Sequence, residues 1–383
     1  MAEVAPSVAQ PKGFAGEQES DVGQMSQWKL MRLRFTRNKL AMIGFWGLII
    51  MYFLCFAGGF IAPNDYMKQN TDYVDGGPSK ITFIDQNGKF GLQPYLIPMV
   101  TELNQEKFIF EFVPDESQRI PIKFFVRGDR VKVFGFIETD LHLFGVEGDQ
   151  MIYLWGADKL GRDMFARVLA GGQVSMTIGL VGVAMSIIFG SILGTMSGYY
   201  AGIIDDIMQR IIEVISSFPT IPLWAALAAA MPPISESFTG LHRYFLITVV
   251  LSFVGWTGLA RQLRAKVMAY RSSDFVQAAL AAGASDAHII FTHMVPNAAS
   301  HIIVSAALSI PGMILGETAL SFLGLGIMPP MVSWGSLLQD AQRVTAVIQQ
   351  PWLIIPGIAV VVTVLCFSFL GDGFRDAVDP YSI

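Results

Sequence analysis

Three histidines, His288, His293 and His301, form the densest group of side chains able to bind a metal or move a proton. No His-Glu-x-x-His pattern accompanies them, and no Ser/Lys dyad stands by. An intramembrane enzyme is therefore disfavoured. Cys55 and Cys366 sit inside apolar runs and read as small buried hydrophobes, neither a disulfide framework nor a metal cluster. No Gly-x-x-x-x-Gly-Lys-Ser/Thr phosphate loop occurs, so the chain is read as non-enzymatic, with no cofactor of its own. One acid, Glu317, stands inside a long apolar run. Intramembrane acids tend to face cavities, which makes Glu317 a candidate for a translocation pathway or a gate. The competing reading hydrogen-bonds it to a neighbouring helix or a partner subunit.

Residues 273–297 read as a short helix, a sharp turn and a second helix, either an ordinary amphipathic loop or a docking element. Ser273 and Asp274 suit a helix N-terminus. Phe275–Ala282 is a strong helix former with a small-residue face. Gly283 fits the place just past a helix end, where positive φ is free of strain. Ser285 and Asp286 start a second helix, which Pro296 is expected to end. A short Ala-faced helix projecting from a membrane protein is shaped to dock in another protein's groove.

The elements that carry this loop are apolar. The 383 residues are 52% hydrophobic and 15% charged, against about 25% charged in a soluble domain. A net charge of −5 leaves no basic surface for nucleic acid. Six runs approach the ~20 residues needed to cross a bilayer: Leu40–Ala62, Val174–Tyr200, Ile211–Met231, Tyr244–Ala260, His301–Leu325 and Trp352–Leu370. Gly182, Ser186, Gly190, Gly194 and Gly198 recur at four-residue spacing and predict a closely packed interior helix. Pro219 and Pro222 predict a kink in the third run. Lysines and arginines concentrate before the first run and between the fourth and fifth, which puts both termini in the cytoplasm. An ion-coupled secondary transporter is the reading of another class. Against it, Glu317 is the only clear midplane acid and no inverted repeat is visible.

Residues 1–25 lack apolar periodicity and read as a disordered cytoplasmic tail. The first apolar run starts too far along, and runs too long, for a cleaved secretory signal. Residues 26–62 join an interfacial helix, where Trp28, Leu30, Met31, Leu33 and Phe35 interleave with five cations, to the first span. Residues 63–157 read as a β-rich periplasmic insert with strands at 108–113, 120–126 and 131–137. Arg127–Arg130 is expected to be a hairpin turn, which is preferred to an Arg-Gly-Asp adhesion motif. Residues 158–383 hold the other spans and a cytoplasmic loop at 261–297, with Asp163 capping a short helix over 164–169.

The 273–297 segment resembles the EAA loop of binding-protein-dependent ABC importers. Ala278, Ala279, Gly283 and Pro296 fall on that pattern, and Gln277 replaces its Glu. Residues 28–44, 156–168, 293–297, 316–326 and 371–380 are similar, in order, to oligopeptide and dipeptide permease C-type subunits. The resemblance implies an all-α polytopic membrane protein of the type I ABC importer permease fold, with six transmembrane helices and the β-rich insert between helices 1 and 2. It implies half of a pathway importing peptides or similar solutes across a bacterial inner membrane, with oligosaccharides or nickel chelates as alternative cargo. The implied partners are a homologous second permease, two ATPase subunits carrying ATP and Mg, a periplasmic binding protein and the lipid bilayer. It also implies that Gln277, Ala278, Ala279, Gly283, Ala284, Ser285, Asp286 and Pro296 make up the ATPase-coupling loop.

Overall fold

Helices carry most of the chain on either side of a strand-rich stretch. The computed structural model describes residues 27–86, 88–105 and 109–378. The tail expected at 1–25 lies outside them, as does Phe108 at the start of one expected strand. Helix α1 (Gln27–Arg37) ends at Asn38, whose backbone is extended. The Asn38 Oδ1 accepts from Ala41 N at 3.1 Å and so caps α2 (Lys39–Phe56). A short α3 (Gly58–Ile61) follows Ala57, so the first apolar run is interrupted near its C-terminal end.

Residues 80–145 form seven strands: β1 (Lys80–Ile84), β2 (Phe90–Ile97), β3 (Met99–Asn104), β4 (Ile109–Pro114), β5 (Ile120–Pro121), β6 (Lys123–Val133) and β7 (Ile137–Gly145). They pair antiparallel as three small sheets, β1-β2-β5, β3-β4 and β6-β7. The turn expected at Arg127–Arg130 is not there. Those residues lie within β6, beside a register shift, and the chain reverses at Phe134–Phe136. Gly128 is needed for a different reason. A Cβ there would sit 3.0 Å from the His142 ring. That ring is buried and bridges the carbonyls of Ala62 and Asp129, at 2.6 and 2.9 Å. The insert is thereby pinned to the C-terminal end of the first apolar run.

The remaining helices are α4 (Met164–Tyr200), α5 (Gly202–Ser217), α6 (Thr220–Ala229), α7 (Gly240–Arg271), α8 (Asp274–Ala281), α9 (Asp286–His288), α10 (Val295–Phe322), α11 (Trp334–Leu338), α12 (Val344–Gln349) and α13 (Ile355–Val378). The expected short helix at 164–169 is the first turn and a half of α4, which runs unbroken for 37 residues. The small residues of α4 face α7. The Ser252 Oγ donates to Gly182 O at 3.0 Å. A Cβ on Gly190 or Gly194 would stand 2.9 Å from Trp256 O or 2.5 Å from Ala260 O. Backbones approach this closely only where side chains are absent.

Among the described residues, five helical segments are long and apolar enough to cross a membrane, and α5 with α6 qualifies only as a pair bent by 85°. The third run is thus not one rod. Pro219 has no N–H to donate and its ring collides with a preceding helical carbonyl, so α5 stops before it. The core lies where α4, α7, α10 and α11 meet, around the fully buried Met176, Ile247, Leu251, Ile314 and Trp334.

Candidate functional site

The segment 273–297 forms a compact hook at one end of the bundle. Helix α8 begins at Asp274, and Val276 on its inner face is fully buried with Val267, Ile289 and Met294. Phe275 and Leu280 stay exposed on either flank of Val276, and Gln277 and Ala278 lie exposed on the side away from it. Gly283 has φ +77° and open space where a Cβ would stand. The reversal it makes lets Ala284 N donate to Ala279 O at 3.0 Å. Ser285 caps the next helix by accepting from His288 N. Gln277 Nε2 donates to Arg271 O at 2.9 Å, closing the end of α7. A carboxylate at 277 would have no proton to give there.

Pro296 does not end the second helix. It lies in the first turn of α10, inside a continuous helical segment from Asp286 to Phe322. Six preceding residues, Ile289–Met294, are wound as a π-helix. That wider winding accommodates a residue with no N–H and a ring that would crowd a regular α-helical carbonyl.

One polar tie fastens the hook to the bundle, and a second locks α5 to α7 and α4. Tyr199 OH, near the end of α4, donates to Asp286 Oδ1 at 2.7 Å. Asp205, at the start of α5, is buried and takes a two-pronged bond from Arg264 of α7, each arm 2.5 Å. Ser197 Oγ donates to the same carboxylate. Arg–carboxylate pairs of this shape fix geometry as well as charge.

Glu317 is fully buried inside the subunit. Its carboxylate accepts from Ser175 Oγ of α4 at 2.9 Å and from Ser321 Oγ at 2.6 Å. Each hydroxyl passes the bond on: Ser175 Oγ accepts from Trp334 N, and Ser321 Oγ from Ile327 N. The acid therefore clamps α10, α4 and the segment leading into α11.

On the far side, residues 156–167 form a buried polar knot. Asp158 receives Arg162 Nε at 2.8 Å and the backbone N–H groups of Leu160 and Arg162. Arg167 Nε lies 3.3 Å from the same carboxylate, near enough for charge but misaligned for a hydrogen bond. Gly161 has φ +68°, and any Cβ there would run into the Asn70 carbonyl. Trp352 Nε1 donates to Ala157 O at 2.9 Å, tying in the start of the last apolar segment. As expected, Asp163 caps α4: its Oδ1 accepts from Phe165 N at 3.0 Å, and its Oδ2 from Asn64 Nδ2 at 3.0 Å.

Complete burial pushes the Asp163 carboxyl up from the usual range to about 7, against the opposing pull of its hydrogen bonds. The folded protein therefore holds this proton more tightly than the unfolded chain. Its contribution to stability is greatest at and below the ordinary carboxylate range, about 4. It declines as pH rises from there toward 7 and is flat above. Asp163→Asn should remove that slope from a plot of thermal midpoint against pH. An unchanged slope would assign it to other groups.

The profile of the family described as "Binding-protein-dependent transport system inner membrane component" matches residues 186–381, just over half of the chain. The chain belongs to this family. A second profile, "N-terminal TM domain of oligopeptide transport permease C", matches residues 26–78 of the permease. The oligopeptide transport system permease protein OppC of Haemophilus influenzae is 37% identical over 249 residues, 64% of this chain and 76% of the relative. The dipeptide transport system permease protein DppC of Lactococcus lactis subsp. cremoris is 30% identical over 348 residues, 91% of this chain and 88% of the relative. A solved chain of the methionine ABC transporter MetNI is similar over 56% of this chain and 98% of its own, with 16% identity and a TM-score of 0.43.

For the permease, the structure gathers seven of the expected loop residues, Gln277 through Asp286, into one hook, with Pro296 ten residues further along the same helical segment. Sequence reading missed the Tyr199–Asp286 and Arg264–Asp205 ties. The only signal was a charged or phenolic residue at each end of an apolar run.

Proposed function

We propose that this permease forms half of the membrane pathway of an ATP-driven importer of peptides or related small solutes. The family carries the transport role, and relatives named for oligopeptide, dipeptide and glutathione transport support the solute class. In this reading the bent pair α5–α6 is the third of six crossings, and both termini face the cytoplasm. A homologous permease completes the pathway in a bacterial inner membrane. A periplasmic binding protein meets the insert, and two ATPase subunits supply ATP and Mg. The hook at 273–297 is their contact.

One observation carries the coupling role: α8 keeps two large apolar side chains, Phe275 and Leu280, exposed on either flank of its buried Val276. A helix docked in a groove uses apolar anchors of this kind. ATP-driven closure of the ATPase pair then pushes on α8 and tilts the spans between outward-open and inward-open states.

Gly283→Val tests this. No neighbour would be struck, so the subunit should still fold and insert. A β-branched residue at positive φ costs about 1–2 kcal/mol, and the turn is expected to re-form in another shape. Docking should weaken about 5–30-fold. Coupled uptake should fall accordingly at unchanged membrane levels of the subunit. Full uptake in that variant would exclude α8 as the contact.

A further inference from the structure

Helix α10 carries Asn297, His301, Ser305 and Ser309 at successive four-residue steps. That spacing places them along one stripe. Helix α7 answers with Gly258, Gln262 and Lys266 at the same step. Together with Arg375 of α13, the two stripes line an open cavity of about 650 Å³. They are joined across it. Gln262 Oε1 accepts from Ser305 Oγ at 3.1 Å and lies 3.0 Å from His301 Nε2.

Lipid is a poor occupant of this face. A row of amide, imidazole and hydroxyl groups along apolar helices is costly against hydrocarbon, so the face calls for water or a polar partner. Gly258 sharpens the choice. The glycines of α4 are needed because α7 presses on them, but Gly258 has nothing within 4 Å of where a Cβ would stand. Its missing side chain leaves space open and permits no closer packing. The charge pattern is one-sided: Lys266 and Arg375 line the cavity, and no carboxylate does so among the described residues. Hydroxyl and amide groups bond a peptide main chain whatever its side chains, and the two cations favour a carboxylate terminus.

We infer that this cavity is the wall the permease contributes to the solute route, and that it takes an extended, amide-bearing solute with a free carboxylate. The inference rests on the peptide-importer reading above. The test uses the full importer complex in vesicles. In Gly258→Trp the Cβ enters open space and the indole is expected to extend into the cavity, so peptide uptake should be lost while the ATPase subunits stay bound. In parallel, Ser305→Cys and Val361→Cys are treated with a charged, membrane-impermeant thiol reagent. Cys55 and Cys366 are buried, so the unaltered chain is the blank. Val361 lies exposed on an apolar face of α13. A thiolate forms in water and not in hydrocarbon, so Ser305→Cys should react about tenfold faster or more. Equal rates at the two positions would overturn the inference, as would wild-type uptake by Gly258→Trp. Labelling of Ser305→Cys in the lone subunit but not in the complex would also overturn it, by assigning the face to the second permease. If the unaltered complex moves no peptide while Ser305→Cys still reacts fast, the peptide reading falls and the water-filled wall stands.

Discussion

Asp158→Ala should cost the permease about 3–5 kcal/mol, the usual penalty for removing one member of a buried ion pair. The Asp158 side chain is 1% exposed, and its cations Arg162 and Arg167 are 13% and 9% exposed. Removing the carboxylate strands two guanidinium groups where water scarcely reaches. It also orphans the N–H groups of Leu160 and Arg162, which shape the turn before α4. The expected result is a subunit that accumulates poorly in the membrane, and a complex with a sharply lower thermal midpoint. Asp158→Asn should be intermediate, because it keeps an acceptor and loses the charge. Adding Arg167→Met to Asp158→Ala should recover part of the loss, since the second change removes a stranded charge and keeps the volume. No recovery would mean that the turn, and not the ion pair, carries the stability.

Glu317→Leu should have the second largest effect. The substitution roughly keeps the volume but leaves Ser175 Oγ and Ser321 Oγ without their acceptor, at about 1–3 kcal/mol for each buried hydroxyl orphaned. Both hydroxyls also hold backbone N–H groups of the segment between α10 and α11, at Ile327 and Trp334. Loss should therefore be local as well as global. Amide hydrogen exchange is expected to quicken across 326–338 more than across α4 or α7. Glu317→Gln, which keeps one acceptor oxygen, should do less damage. Uniform exchange in the Leu variant would remove the clamp role.

Some of this was legible in the sequence and some was not, for physical reasons. The stripe from Gly182 to Gly198 could be read because helical period and side-chain size are both local properties. Gly283 could be read because a small-residue helix ran up to it and Ser-Asp restarted one after it. Gly128 misled, because glycine marks either a turn or a close approach, and the approaching group, His142, comes 14 residues later on another strand. Pro296 misled in the same way: a proline ends a regular helix, but nothing local announces that the six residues before it are wound wider. Arg264 and Asp205 stand 59 residues apart, and their pairing exists only once α4, α5 and α7 are packed. The cavity stripe was written in the sequence at four-residue steps. It was overlooked because its members alternate with apolar residues that satisfy a hydropathy window equally well.

Helix α4 begins at the Asp163 cap and ends one residue past Tyr199, which holds Asp286 beside the exposed helix α8. At about 1.5 Å per residue it is a rod of roughly 55 Å, longer than a bilayer's hydrocarbon core is thick. A rod with no joint transmits in both directions. If the coupling proposed above holds, whatever free energy ATP binding at one end contributes to rearranging the other must, by linkage, reappear in reverse. In a working importer, then, occupancy of the outer face by a loaded delivery protein would tighten nucleotide binding by the same factor that nucleotide tightens the hold on the delivery protein. Titrating either ligand at fixed concentrations of the other would read that single factor twice.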